Sequence, residues 1–465
     1  MLVASSSSQD INSPNHSGAK PARDAPRIEK PKTPLDLDHQ FDAGSGIALE
    51  TLTPVQVESL LLLGKVWGFL KYHHPKVTSG QVHWDYELLR VLPNVLAVND
   101  RRAIQTVLMD WIDTLGPILP CNPCARLDEK DLSLRPDLDW ISNNFQLGDD
   151  LSRKLLEIYR NRPLSGRQFY VSLVPGIHNP SFSHELAYSN LRFPDPGFQL
   201  LALYRFWNII EYWAPYRDVV GEDWNGVLAE FIPRVALAKT ADDYMRELMA
   251  LIAKAHDGHA NLWNSLKARP PIGECFLPVK IRFVENAAVI TGISAASSIG
   301  ADLKVGDVIA GLDGTPVAKL VESWAPYYAT SNDAARMRDT ARYMTRGKCG
   351  DTKIAIRRKA ATVTVTEQRV PAGVNDYDPG THDLPGPTFR LLSKDLAYLK
   401  LSSIKEGDAM RAVEQAAGTK GLIIDIRNYP SSFEVFELGS LLVDKQTSFA
   451  RFTEGDMANP GSFHW

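Results

Sequence analysis

Two histidines near the middle of the chain are candidates for chemistry. His256 and His259 lie three residues apart, with Asp257 and Gly258 between them. Imidazoles at this spacing share a helix face, so a metal pair is one interpretation, although no third ligand lies nearby and Gly258 favours a break in the helix. A capping or core histidine is the second interpretation, and a general base at His259 is the third. The local sequence leaves all three open.

The cysteines are a second candidate. Cys121 and Cys124 form a C-x-x-C pair, but the chain has four cysteines in all and lacks the second pair that a zinc site would need. A metal site, a local disulfide and two free thiols therefore remain possible. The sequence contains no Gly-x-Ser-x-Gly, His-Glu-x-x-His or phosphate-binding glycine motif.

Composition excludes several classes of partner. The 465 residues carry 51 basic and 55 acidic side chains, for a net charge of -4, so no polyanion-binding surface is indicated and nucleic acid is not expected as a partner. No apolar run approaches the roughly 20 residues of a membrane span. The first five residues, Met1–Ser5, lack the features of a signal peptide, and the compartment is left open.

A repeat divides the first half of the chain. Seven identities share one offset of 140 residues, which predicts a duplicated helical unit. Each copy is predicted to contain a tryptophan-bearing helix, a Tyr-x-x-Pro break and a second helix, with the tryptophans in the core rather than on a ligand. The identical pairs are Trp67 and Trp207, Tyr72 and Tyr212, Pro75 and Pro215, Trp84 and Trp224, Leu88 and Leu228, Pro93 and Pro233, and Met109 and Met249.

The pattern then changes to alternating strands and turns. The stretches Ala288–Ile293, Ala301–Ile309 and Leu312–Val317 together resemble a PDZ domain, a module that binds peptides by adding them as a strand. The resemblance implies a docking strand at 280–283. It also implies a peptide-gripping edge at Phe276, Leu277, Pro278 and Val279.

The last segment indicates a parallel sheet. Leu396–Leu401 reads as a strand, 408–417 as a helix, and Gly421–Ile426 as an apolar strand covered on both faces. A strand, a helix and a strand in this order predict a parallel crossover. Because an open parallel sheet needs more strands, we expect only its first half here.

The order of these segments resembles the tail-specific (C-terminal processing) and tricorn-core serine peptidases. The resemblance rests on Asp257-Gly258-His259 ahead of the PDZ-like stretch and on the strand end from Asp425 to Pro430. It implies that His259 is the general base for a serine nucleophile and that the backbone amide of Ser431 serves the oxyanion hole, where processing proteases carry glycine. No cofactor or metal is expected.

The resemblance places the nucleophilic serine on a later strand-to-helix turn, beyond Trp465. We therefore expect a chain truncated before that serine and inactive by itself, with a polypeptide or a peptide C-terminus as the partner. The alternative is a non-catalytic peptide-binding scaffold, which would be a natural remnant of the binding half. The sequence does not indicate an oligomeric state.

The predicted fold is multidomain α+β, with a duplicated helical N-terminal region, a PDZ-like β domain and the first half of an α/β peptidase core. The predicted segments are 1–46 as a disordered tail, 47–190 as the first helical repeat with a loop-rich connection, 191–271 as the second helical repeat leading to His259, 272–370 as the PDZ-like domain, 371–387 as a linker, and 388–465 as the partial α/β core.

Overall fold

The computed structural model describes residues 32–293, 302–371 and 384–465, which form two compact units. The helical unit contains the described residues up to Arg269 together with Pro326–Asn332 and Phe452–Trp465. The sheet unit contains Pro270–Ala325 and Asp333–Arg451. The protein is thus a multidomain mixture of helices and several sheets. Among the described helices, none has both the length and the apolarity needed to cross a bilayer.

Thirteen α-helices lie in the described residues. They are α1 (Pro34–Leu37), α2 (Pro54–His73), α3 (Pro75–Thr78), α4 (Trp84–Leu96), α5 (Arg101–Thr114), α6 (Asn144–Arg160), α7 (Pro196–Trp213), α8 (Trp224–Ala236), α9 (Ala241–Ala253), α10 (Val317–Trp324), α11 (Asp333–Tyr343), α12 (Asp408–Ala416) and α13 (Val435–Leu441).

The strands are short in the helical unit and longer in the sheet unit. They are β1 (Leu132–Leu134), β2 (Ser172–Leu173), β3 (Pro180–Ser181), β4 (Cys275–Phe276), β5 (Val279–Val284), β6 (Ala287–Ile293), β7 (Val308–Leu312), β8 (Thr315–Pro316), β9 (Gly350–Arg358), β10 (Ala361–Pro371), β11 (Phe389–Ser393), β12 (Leu396–Lys400), β13 (Gly421–Asp425), β14 (Glu454–Gly455) and β15 (Phe463–His464).

Local sequence explains where the long central helix α2 begins and ends. Thr53 caps its N-terminus, accepting from the Gln56 amide at 3.2 Å, while the Gln56 side chain accepts from the Thr53 amide at 2.9 Å. This is a capping box, followed by a proline at the first helical position. Pro75 then prevents the helix from continuing. Most of α2 is buried, which makes it the centre of the helical core.

The sheet unit contains two sheets. In the larger one the strand order is β4, β10, β9, β7, β6, β5, all antiparallel, with β8 pairing β7. In the smaller one the order is β11, β12, β13. There β12 and β13 pair in parallel, with Leu396 opposite Gly421 and Lys400 opposite Asp425, and α12 connects them. This crossover is the one that the strand and helix pattern predicts.

The N-terminal segment differs from its predicted boundary. Residues 1–31 lie outside the described residues, but 33–46 are not a free tail, because Ser45 Oγ donates to Asp195 at 2.6 Å and Tyr86 donates to Asp42 at 2.5 Å. Most of the predicted linker, 372–383, also lies outside the described part of the chain, as do residues 294–301 of the PDZ-like segment.

The chain end belongs to the helical unit rather than to the predicted α/β core of 388–465. β15 pairs with β1 and β14 in an antiparallel sheet. The buried Arg162 guanidinium donates to the Ala458 carbonyl at 3.0 Å and also bonds Asn459. A buried cation needs such acceptors, and the 452–465 segment supplies them. Composition alone carries no sign of this pairing, which spans about 300 residues of sequence.

Candidate functional site

The edge strand β5 and the helix α11 lie side by side in the sheet unit. β6 pairs along one side of β5, and no strand of the described residues pairs along the other. Helix α11 packs against β5. Val279 and Ile281 are buried, whereas Lys280 and Arg282 are partly exposed, as the period of two in a strand requires. An edge strand of this kind offers backbone donors and acceptors to an extended peptide.

A cavity of about 650 Å³ lies in the sheet unit, lined by the β5–β6 turn, β7, α10 and the first half of α11. Its apolar lining includes Phe283, Val321 and Met337. The charged lining residues are balanced in sign: Glu285, Glu322, Arg336 and Arg357. The cavity therefore fits an apolar side chain of a bound peptide better than a strongly charged group.

Three of the four residues predicted to grip the peptide, Phe276, Leu277 and Pro278, precede β5, and the fourth, Val279, is its first residue. Leu277 and Val279 are 0% and 1% exposed, Pro278 is buried, and Phe276 is only partly exposed. β4 pairs with β10, so Phe276 lies opposite Val370, and the Leu277 amide donates to the Thr345 carbonyl at 3.4 Å. These contacts use the backbone that a peptide would need. β5, which contains the predicted docking residues 280–283, has a partner strand on one side only among the described residues.

His259 lies in a turn after α9. Its ring is 99% exposed, and Nδ1 lies 2.9 Å from Asp257 Oδ1, the atom that also accepts from the His259 backbone amide at 2.9 Å. Asp257 thus orients the imidazole as well as shaping the turn. His256 contacts Glu222 instead, at 3.0 Å. Within the described residues no group of three His, Cys, Asp or Glu side chains could hold a metal ion.

Ser431, the predicted oxyanion donor, follows β13 in the sheet unit. Its amide donates to the Leu401 carbonyl at 3.0 Å, and its hydroxyl donates to the Ile404 carbonyl at 2.5 Å. An amide that is already used cannot stabilise an oxyanion until this turn opens. Nearby, bidentate contact from Arg427 holds the pKa of Asp425 well below its usual range, and a hydrogen bond from Tyr398 lowers it further.

The cysteines form two disulfides. Cys121 bonds Cys124, which is one of the three interpretations that the sequence allows. Cys275 bonds Cys349, and this pair was not predicted. The two residues lie 74 positions apart, at the start of β4 and just before β9, so only the folded sheet brings them together. Both cysteines fall within the segment 272–370 that the sequence predicts as one domain, which is the signal that the sequence offers for this pair.

Comparison with known proteins adds little. No protein-family model matches the chain, and no curated protein matches it. Five chains of solved structures match, among them one titled "Crystal Structure of mature CPAF". That match has 16% sequence identity and a TM-score of 0.35, and it covers 49% of this chain and 54% of the other. The match thus spans about half of that protein's length, and no argument about function rests on it.

Proposed function

We propose that this chain binds an extended polypeptide along β5 and serves a serine-type endopeptidase of the tail-specific or tricorn-core kind. The observation that carries the proposal is the edge strand β5 with α11 packed against it and the 650 Å³ cavity at its end. A peptide paired with β5 would extend the sheet by one strand, and one of its apolar side chains would enter the cavity. Phe283 and Val321 would contact that side chain.

The catalytic part of the proposal rests on the resemblance and on the geometry of His259. With Nδ1 donating to Asp257, Nε2 holds the lone pair that removes a proton from a serine hydroxyl. The exposure of the ring leaves it accessible to that group. Ser431 would join the oxyanion hole only after its amide leaves the Leu401 carbonyl, a change that substrate binding would have to drive.

A non-catalytic peptide-binding scaffold is the second candidate. It is favoured by one observation, the use of the Ser431 amide and hydroxyl by the carbonyls of Leu401 and Ile404. In a scaffold this turn would simply close the end of β13. Both candidates share the β5 surface, so binding and catalysis need separate tests.

Peptide binding is tested by fluorescence anisotropy with a labelled library of random decapeptides, in the free-acid and the C-terminal amide form. Val321→Trp places an indole in the cavity and leaves less room for a peptide side chain, and we expect it to weaken binding at least about tenfold, which corresponds to about 1.4 kcal/mol. Val363→Trp, at an exposed site on β10 of the same unit, is the matched control. Equal peptide affinity of the two variants would show that the cavity is not part of the peptide-binding site. A preference for the free acid would support recognition of chain ends.

Catalysis is tested on the protein as the cell makes it, with a serine-reactive fluorophosphonate probe. Labelling should disappear in His259→Ala and persist in His256→Ala, which removes an imidazole only three residues away. Labelling that survives the first change would show that His259 is not the base. Peptide binding by a protein that is never labelled would favour the scaffold.

A further inference from the structure

Three pairs of helices in the helical unit, α2 and α7, α4 and α8, and α5 and α9, are related by an offset of about 140 residues. α4 and α8 each have 13 residues and begin at Trp84 and Trp224, which are 140 positions apart. α2 and α7 end at His73 and Trp213, again 140 apart, and α5 and α9 begin at Arg101 and Ala241. The offset of the sequence identities is therefore also the offset of the elements.

Each copy holds its two helices together by the same pair of tryptophans. The Trp67 indole donates to the Trp84 carbonyl at 3.2 Å, and the Trp84 indole donates back to the Trp67 carbonyl at 3.1 Å. Trp207 and Trp224 make the same two bonds at 2.7 and 3.1 Å. The ring planes lie 11° apart in the first pair and 12° in the second. This reciprocal bond satisfies both buried indole donors.

Between the copies, equivalent positions contact each other along α2 and α7. The rings of Tyr72 and Tyr212 have centroids 5.2 Å apart. A Cβ atom on Gly64 would come within 2.6 Å of the Tyr204 ring, the residue 140 positions later. A Cβ atom on Gly68 would likewise overlap its equivalent, Asn208, at 1.7 Å. A position that meets its own equivalent lies on a two-fold axis.

Contacts away from this line are reciprocal. The rings of Tyr72 and Trp213 lie 5.5 Å apart, and those of the equivalent pair, Tyr212 and His73, lie 5.7 Å apart.

The polar contacts repeat in the same way. Lys65 of the first copy donates to Asn225 of the second at 2.9 Å, and Arg205 of the second copy bonds Asp85 of the first. Position 205 is equivalent to 65, and 225 to 85. A two-fold interface has this property, since residue i contacts j and j contacts i.

We infer that the helical unit is an internal dimer, in which two copies of one helical module pack about a pseudo-two-fold axis between α2 and α7. The surface of α2 fits a second copy of the same module, and the chain supplies that copy itself. Small residues of the first copy, Gly64 and Gly68, accommodate large ones of the second, so the axis is kept while the two faces have become complementary.

One side-chain difference between the copies explains where the connection between them docks. Lys71 is buried beside Arg205 and Asp85, and the connecting segment supplies the second carboxylate, Glu185, which bonds both Lys71 and Arg205. This cluster then has two cations and two anions. The position equivalent to Lys71 in the second copy is Glu211, so that copy lacks the second buried cation and needs no carboxylate from the connection.

An exchange of paired residues tests the axis. Gly64→Tyr alone should lower the thermal midpoint, because the added ring overlaps Tyr204. The exchange Gly64→Tyr with Tyr204→Gly should recover most of that loss, since the hydroxyl that now donates to the Leu60 carbonyl at 2.7 Å would find the equivalent Leu200 carbonyl. The inference would be overturned if the exchange lowered the thermal midpoint by as much as the two single substitutions do together.

A milder pair keeps the inference testable where the exchange fails to fold. Asn225→Asp gives Lys65 the carboxylate that Arg205 already has in Asp85, so the urea midpoint should stay or rise. Asp85→Asn should lower it, because Arg205 and Lys71 lose a buried counter-charge. A midpoint that falls equally in both variants would show that the two sites are not equivalent.

Discussion

One buried carboxyl group of the helical unit, that of Glu211, has a strongly raised pKa. Glu211 is almost fully buried near Arg217, Lys65 and Asp137. Burial raises the pKa of its carboxyl to about 8, while the attraction of Arg217 and Lys65 opposes that rise and the charge of Asp137 adds to it. The proton on Glu211 is thus a part of the folded structure at neutral pH.

This raised pKa predicts a pH-dependent stability. The folded state keeps the Glu211 proton to higher pH than the unfolded chain, whose ordinary pKa is 4.5, so the contribution of Glu211 to the free energy of unfolding should fall as pH rises from about 4.5 to about 8. Burial lowers the pKa of His73 to about 3 and that of His74 to about 4, so these two groups contribute with the opposite sign below their ordinary value of 6.5. Above that window the contribution of Glu211 is constant. Urea unfolding of the wild type and of Glu211→Gln at several pH values isolates the Glu211 contribution as the difference between the two proteins.

Glu211→Gln should remove this contribution, because the amide is neutral at every pH, so the wild type should lose stability relative to the variant as pH rises through the window. Glu230→Gln, in a partly exposed ion pair with Arg234, is the matched control and should leave the pH dependence of stability unchanged. An unchanged pH dependence in the Glu211 variant would assign it to other groups.

At the scale of elements, the sheet unit depends on contacts between distant strands. The Cys275–Cys349 disulfide joins the start of β4 to the residue before β9, and the Cys275 amide and carbonyl also bond Gly347. The disulfide therefore holds the edge strand β4, which lies next to the predicted gripping residues, against the segment that precedes β9. By contrast, Cys121 and Cys124 close a turn with a sequence separation of 3.

The lengths of the loops that the two disulfides close predict different contributions to the free energy of unfolding. Replacing Cys275 and Cys349 by serine should cost the sheet unit about 4 kcal/mol, since the bridge closes a long loop in the unfolded chain, and removing the short bridge should cost about 2 kcal/mol or less. Chemical denaturation of the two double-serine variants under oxidising conditions makes the comparison. A larger loss for the Cys121 and Cys124 variant would contradict the argument from chain entropy.

At the scale of the whole molecule, the chain passes between the two units four times, before Pro270, Pro326, Asp333 and Phe452. The short segment 326–332 packs in the helical unit, where Tyr328 and Ala329 are buried and Arg269 stacks on the Tyr328 ring at 4.4 Å. The helical unit thus includes parts of the chain that sequence order alone would give to its neighbour.

This division predicts a pattern of hydrogen exchange. When the sheet unit is destabilised by Cys275→Ser with Cys349→Ser, amides of β9 and β10 should lose protection. Amides of 326–332 and 452–465 should keep theirs, because their contacts lie in the helical unit. Loss of protection in these two segments together with β9 would show that the units unfold as one.

The sequence by itself determined the features that depend on local order. Side-chain spacing over a few turns or strands indicates the capping box of α2, the alternation in β5 and the parallel pairing of β12 with β13. The duplication follows from identical residues at an offset of 140 positions. Because helices and strands have different side-chain periods, the residues of each element indicate which of the two it forms.

Only the tertiary structure decided which surfaces remain open and which distant groups meet. Phe276 and Leu277 are predicted to grip a peptide, yet Phe276 pairs with β10, the Leu277 amide donates to the Thr345 carbonyl, and the Ser431 amide donates to the Leu401 carbonyl. The same holds for the Cys275–Cys349 bridge and for the packing of 452–465 beside β1. These contacts join residues far apart in the chain, where loop closure and burial decide the pairing and local propensity carries no information about it.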